Sequence, residues 1–164
     1  MSFIKEKDLY SVIKDWLKNL LKSYYPRKKI DTYDTSSVFL SKFIQDSNWM
    51  KYRDDYATYQ IKIDILGVLI YQKNLDFVFV EVKNTKISLK DISQLIGYSR
   101  VAKPLYSFII SPKWVSDPVR SLFEKYRRFD ILTYDKNRII KIVKWDCEKR
   151  DIDFNYIYPK SELI

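Results

Sequence analysis

The sequence contains no histidine, one cysteine and two glycines in 164 residues. Without histidine there is no Ser-His or Cys-His hydrolase, no His-ligated zinc and no nuclease that uses imidazole as its base. The lone cysteine, Cys147, excludes a disulfide within the chain, a zinc ribbon and a four-cysteine iron–sulfur cluster. Gly67 and Gly97 are too few for a P-loop or a dinucleotide fingerprint. Long apolar runs are missing as well. The longest, Leu66 to Tyr71, falls far short of a bilayer span. The amino-terminal Met1-Ser-Phe-Ile-Lys-Glu-Lys-Asp lacks the apolar core of a signal peptide. The expectation is a soluble, cytoplasmic protein with no membrane partner. What remains for chemistry is carboxylates, lysines and a metal.

Positive charge and aromatic rings are abundant. Lys and Arg number 30 against 21 Asp and Glu, a net charge of +9. Such an excess suits a polyanion, because Lys and Arg displace condensed counterions from phosphates. The alternatives are solubility and a general bias toward Lys and Ile. Among the 14 Tyr, 9 Phe and 4 Trp, some stand beside cations, in Tyr24-Tyr25-Pro26-Arg27-Lys28-Lys29 and Trp49-Met50-Lys51-Tyr52-Arg53. Rings that stack on bases, next to cations that hold phosphates, make Arg27, Lys28, Lys29, Lys51 and Arg53 the candidate DNA contacts. Surface loops pinned by their own aromatics are the other reading of both segments.

The length and a 46% apolar content suit one domain, residues 1–164, with a substantial core. Residues 4–22 carry Leu9, Val12, Ile13, Trp16, Leu17, Leu20 and Leu21 at helical spacing, and Pro26 limits the helix. A short helix capped at Asp34-Thr-Ser-Ser and running through Gln45 is the reading for part of 29–55. Residues 56–65 alternate, with Ile61, Ile63 and Ile65 on one side, which predicts a half-buried strand. Residues 66–72 continue it, bent at Gly67, or form a second one. After the turn-like Gln72-Lys-Asn-Leu-Asp, Phe77 to Lys83 reads as a central strand with two apolar faces. Ser88-Leu-Lys-Asp91 has the form of a capping box and opens a helix to about Ala102. Tyr106 to Ser111 is a further strand. Ser116-Asp-Pro118 starts a helix through about Arg127. Ile131 to Tyr134, Ile139 to Trp145 and the edge segment Ile152 to Tyr158 read as strands. The predicted class is α/β: a single domain with a mixed central sheet of four or more strands flanked by helices.

Two carboxylates interrupt apolar strands. Along Phe77 to Lys83, alternate residues share a face, so Phe77, Phe79, Glu81 and Lys83 point one way and Val78, Val80 and Val82 the other. A carboxylate in that row is costly unless a cation or metal meets it. Asp64, in Gln60-Ile-Lys-Ile-Asp64-Ile-Leu-Gly67, does the same in its own strand. If the two strands form a hairpin, Asp64 and Glu81 converge at its open end. Two hard carboxylates and a backbone carbonyl suit Mg2+, with Mn2+ also accommodated, and the ion keeps water in its other positions. Lys83 then positions that water or holds phosphate. The competing reading is a structural Glu81–Lys83 pair on a sheet face, with Asp64 capping a turn at Gly67.

The pieces Ile63-Asp64-Ile65-Leu66-Gly67 and Val80-Glu81-Val82-Lys83-Asn84 resemble the PD-(D/E)XK nuclease superfamily, with Ile63 where the motif's proline would stand. The resemblance implies a restriction-endonuclease-like fold, a four-stranded mixed sheet with flanking helices, and metal-dependent hydrolysis of DNA phosphodiesters. It makes Asp64, Glu81 and the carbonyl of Val82 metal ligands, and Lys83 the residue that orients the attacking water. Such nucleases often carry a Glu on the preceding helix. Glu6 lies about 40° from the centre of the apolar stripe at about 100° per residue, so it can look inward. Gln94-Leu-Ile-Gly-Tyr98 resembles the Q-x-x-x-Y element of the RecB-type exonuclease branch, with both side chains on one helix face away from Leu89, Ile92 and Ile96. For Glu6, Gln94 and Tyr98 an ordinary solvated helix face is the competing reading. The short chain leans instead toward a homodimer of the junction-resolvase kind. The resemblance covers about residues 4–111. A catalytically inactive basic DNA-binding module on the same scaffold is the alternative function, and a protein-interaction domain a third.

Overall fold

A computed structural model describes residues 5–164. Residues 1–4, which include the expected first residue of the amino-terminal helix and part of the charged amino-terminal segment, lie outside them. Among the described residues there are four α-helices and a seven-stranded mixed sheet.

Helix α1 (Glu6–Tyr24) buries Leu9, Tyr10, Ile13, Leu17 and Leu21, whereas Val12, Trp16 and Leu20 of the predicted stripe are only half-buried at its margin. Strand β1 (Lys29–Asp34) follows, where no strand is predicted. Of its residues only Ile30 is fully buried, so it carries no apolar alternation to read. Helix α2 (Leu40–Asp46) starts later than the Asp34 cap implies, and Asp34 instead holds the backbone N–H and hydroxyl of Ser36.

The largest correction falls on residues 56–65. They do not form a strand. Tyr56–Thr58 is a 3-10 turn, and residues 59–64 join no ladder. Tyr59, Ile61 and Ile63 are buried in alternation in one core, but Ile65, expected on the same side as Ile61 and Ile63, joins the core on the opposite face of the sheet. Their backbone, however, bonds to the next layer of chain: Leu40 and Ser41 donate to the carbonyls of Ile61 and Tyr59, and Thr35 to that of Asp64. The ladder begins one residue later, in β2 (Ile65–Tyr71). Gly67 does not bend it. A Cβ there would lie 3.1 Å from Leu21 Cδ1 and 3.2 Å from Leu17 Cδ2, so the glycine lets α1 approach the strand.

Strand β3 (Asn74–Val82) pairs antiparallel with β2 across a turn at residues 72–73, narrower than the five residues expected. Helix α3 (Leu89–Ala102) starts at the predicted capping box: the Ser88 hydroxyl accepts from Asp91 N–H and the Asp91 carboxylate accepts from Ser88 N–H. Strand β4 (Tyr106–Ser111) returns parallel to β3. Helix α4 (Asp117–Glu124) ends before Arg127. Phe129–Leu132 is a 3-10 turn, so the strand expected from Ile131 is only β5 (Thr133–Asp135). Strands β6 (Arg138–Asp146) and β7 (Asp151–Tyr158) complete the sheet. The order is β1-β2-β3-β4-β6-β5, with β7 also paired to β6.

The sheet divides the core. Phe77, Phe79, Ile109 and Ile142 pack with α2, α3 and α4 on one face. Val78, Val80, Val82, Phe108 and Val143 pack with α1 on the other. No helix among the described residues is long and apolar enough to cross a membrane.

Candidate active site

In the β2–β3 register Ile65 faces Val80. One step further along, past the end of the ladder, Asp64 faces Glu81. The structure thus brings these two carboxylates together at the open end of the hairpin. Asp64 takes over the missing rung: its Oδ2 accepts the backbone N–H of Val82 at 2.8 Å. In an extended strand a residue's N–H and C=O point to the same edge, so the Val82 carbonyl also faces the Asp64 side.

Tyr10 holds the other oxygen. Its hydroxyl lies 2.8 Å from Asp64 Oδ1 and 3.3 Å from Glu6 Oε1. Glu6 in turn accepts the backbone N–H of Asn84 at 3.3 Å. The first turns of α1 therefore clamp onto the strand ends, and Glu6 is the inward carboxylate that its helical angle predicts. Tyr10 is the residue that sequence reasoning passes over. It lies four residues after Glu6, the spacing that puts both on one face, but a tyrosine beside an apolar stripe reads as core.

Glu81 is 6% exposed. Its Oε1 meets Lys83 Nζ at 2.9 Å, while its Oε2 is buried with no hydrogen-bond partner. Burial first, and then the Asp64 charge, push the Glu81 carboxyl up to about 7, against the pull of Lys83. Burial likewise raises Asp64, although the Val82 N–H, Tyr10 and Lys83 oppose it. For Lys83, burial favours the neutral amine, but Glu81 and then Asp64 outweigh it and hold the ammonium above its ordinary value. Burial and the two acids raise the Tyr10 phenol strongly, so it stays a proton donor. Two costly carboxylates, one with an unsatisfied buried oxygen, make an electron-rich strand end where Lys83 supplies counter-charge.

The donor set fits a hard divalent ion: Asp64, Glu81 Oε2 and the Val82 carbonyl are all oxygen, and Mg2+ commonly takes only one or two protein carboxylates. No group of three His, Cys, Asp or Glu among the described residues is gathered closely enough to hold a metal by itself. Backbone and water must then complete the shell.

Gln94 and Tyr98 bond to each other, Nε2 to hydroxyl at 3.3 Å. Among the described residues neither shares a hydrogen bond with Asp64, Glu81 or Lys83. The buried face of α3 is Ile92, Leu95, Ser99 and Ala102; Leu89 is exposed and Tyr98 half-buried, so the division into faces expected for this helix is shifted. Arg27, Lys29 and Lys51 are exposed, and Lys28 is half-buried beside Asp76 at 3.8 Å. Arg53, expected at a DNA surface, is half-buried and makes contacts within the fold. Its guanidinium donates to the carbonyls of Leu75 and Ala102 at 3.3 and 3.5 Å and stacks over Phe77 at 5.0 Å.

A cavity of about 790 Å3 lies elsewhere, between the outer side of α1 and β7. It contains none of these residues, and an electron-rich strand end is a better guide to chemistry than cavity size. No family model, curated protein or solved structure matches the chain.

Proposed function

We propose that this protein is a metal-dependent DNA nuclease of the PD-(D/E)XK type, with Asp64 and Glu81 as carboxylate ligands to Mg2+ or Mn2+ and Val82 lending its carbonyl. The observation that carries the reading is the buried, unpartnered Glu81 Oε2, on a carboxyl close enough to Asp64 for the two charges to repel, at the hairpin's open end. A bound divalent ion there would neutralise the two acids and activate water toward the phosphorus. Lys83, on the same face as Glu81, orients the attacking water and offsets charge that develops on the phosphate. Tyr10 and the Val82 N–H keep Asp64 in one rotamer, and Glu6 ties α1 to the chain after β3. The fold reading is restriction-endonuclease-like. Its support is the four-stranded mixed unit in which β1, β2 and β3 are antiparallel and β4 returns parallel to β3 across α3.

A second reading, a catalytically inactive DNA-binding module, has one observation in its favour: the 2.9 Å Lys83–Glu81 contact is also a complete ion pair. Incubating the protein with supercoiled, linear and branched DNA separates the two. The nuclease cuts at least one of these with Mg2+ and none with EDTA. Salt-dependent binding without cutting under any divalent ion gives the second reading.

A further inference from the structure

The basic-aromatic segment at residues 24–29 does not lie near the carboxylates. It joins the turn of the β2–β3 hairpin at the opposite end of the sheet, where Lys29 pairs with Ile70 and Lys28 reaches Asp76. Two measures give the separation. Tyr10 and Tyr24 bracket fourteen helical steps, about 21 Å at about 1.5 Å each. Asp64 and Tyr71 bracket seven strand steps, about 23 Å at about 3.3 Å each.

Two adjoining hollows mark this end. One, about 430 Å3, is lined by Tyr24, Tyr25, Pro26, Arg27, Lys28 and Tyr71. The other, about 390 Å3, is polar and holds Lys73, Asn74, Asp76 and the Arg53 edge, and it shares Lys28 and Tyr71 with the first. Tyr24 is 52% and Tyr71 42% exposed. Arg27 and Lys73 are exposed beside them, and Asp76 is offset by Lys28. The Nε of Arg53 is buried without a partner. Exposed rings next to cations, in a chain of net charge +9, match a strand whose bases offer π-faces and whose phosphates are spaced along it. A duplex hides those faces within its stack, so the complementary partner is single-stranded.

We propose that the hairpin-turn end binds single-stranded nucleic acid, with bases stacked on Tyr24 and Tyr71 and phosphates held by Arg27, Lys28 and Lys73. Resting on the nuclease reading, this also defines the substrate: a strand whose single-stranded part spans the roughly 21 Å between the cut and the hairpin turn.

Fluorescence anisotropy with an oligothymidylate of about twelve nucleotides, in EDTA, tests the surface without any cleavage. Tyr24→Ala and Tyr71→Ala are each expected to weaken binding about tenfold, and Tyr24→Phe and Tyr71→Phe to bind as wild type. Both rings are exposed, so the alanine variants remain folded. Alanine variants with wild-type affinity would overturn the proposal, whatever the protein does to DNA. In a second arm with Mg2+, shortening the single-stranded tail stepwise until it no longer spans that distance should lower kcat/KM for wild type. Equal rates on long and short tails would remove the substrate assignment. If nothing is cut by any divalent ion but the tyrosines still govern anisotropy, the nuclease reading fails and the binding surface stands.

Discussion

At the open end of the β2–β3 hairpin, Glu81 and Tyr10 are buried and Asp64 is half-buried, and Glu6 and Asp64 bond to backbone N–H groups where the ladder stops. At the turn end of the same two strands, Tyr71 and Lys73 stand in solvent beside Tyr24 and Arg27. The strands are continuous, so the difference comes from what covers them. The first turns of α1 close over one end and leave buried charge that is stabilised only by specific partners. The other end carries charge that water already stabilises. A buried, mutually repelling carboxylate pair is expensive and suits chemistry. An exposed cationic and aromatic surface costs little and suits affinity.

The sharpest way to break this contrast is Lys83→Ala against Lys73→Ala. Lys83→Ala should lower kcat at least about a hundredfold, because orientation of water and offset of phosphate charge are both lost. Lys73→Ala should act through KM, by a few-fold. The comparison collapses if both act on KM alone.

The second largest effect concerns pH. The Glu81 carboxyl is held near 7 in the fold, above an ordinary value near 4.5. The folded state therefore keeps the proton more tightly than the unfolded chain. Any stability from Glu81 is present in full below about 4.5 and is lost as pH rises through about 7. In EDTA at about pH 8, Glu81→Gln should stabilise the protein by on the order of 2 kcal/mol, or about 5 °C in Tm, and by much less near pH 5. Equal effects at both pH values would mean that Glu81 is not a raised, buried carboxyl.

The smallest effect is that of Tyr10→Phe. Losing the hydroxyl should cost about 1 kcal/mol of stability and about tenfold in rate, through a higher Mg2+ requirement as Asp64 gains rotamers. A lower Tm with an unchanged Mg2+ requirement would make Tyr10 purely structural.

Much of this arrangement is legible in the amino-acid sequence because strand alternation survives into the fold. Phe77, Phe79 and Glu81 share one face and Val78, Val80 and Val82 the other, as alternation requires, and the Ser88–Asp91 box starts its helix. The approach of Asp64 to Glu81 follows from the hairpin, although alternation alone would start the strand at residue 56 and the ladder starts at Ile65. Ile61 and Ile63 alternate in burial without ladder bonds, and alternation records burial, not pairing. β1 was illegible because Asp31, Thr32 and Asp34 give an edge strand no apolar period. The fold contacts of Arg53 are not legible, because local sequence does not reveal the distant carbonyls of Leu75 and Ala102. Tyr10 was invisible for the same reason, since its partner is 54 residues away.

The most direct test compares wild type, Asp64→Asn and Glu81→Gln on one labelled DNA substrate with Mg2+, with circular dichroism confirming that all three are folded. Both substitutions keep the side-chain shape and remove one ligand charge. The account predicts cutting by wild type that EDTA abolishes, no detectable cutting by either folded variant, and DNA affinity in EDTA equal to or tighter than wild type once the repelling charge is gone. Cutting at the wild-type rate by either variant would contradict the assignment of Asp64 and Glu81 as the metal-holding pair.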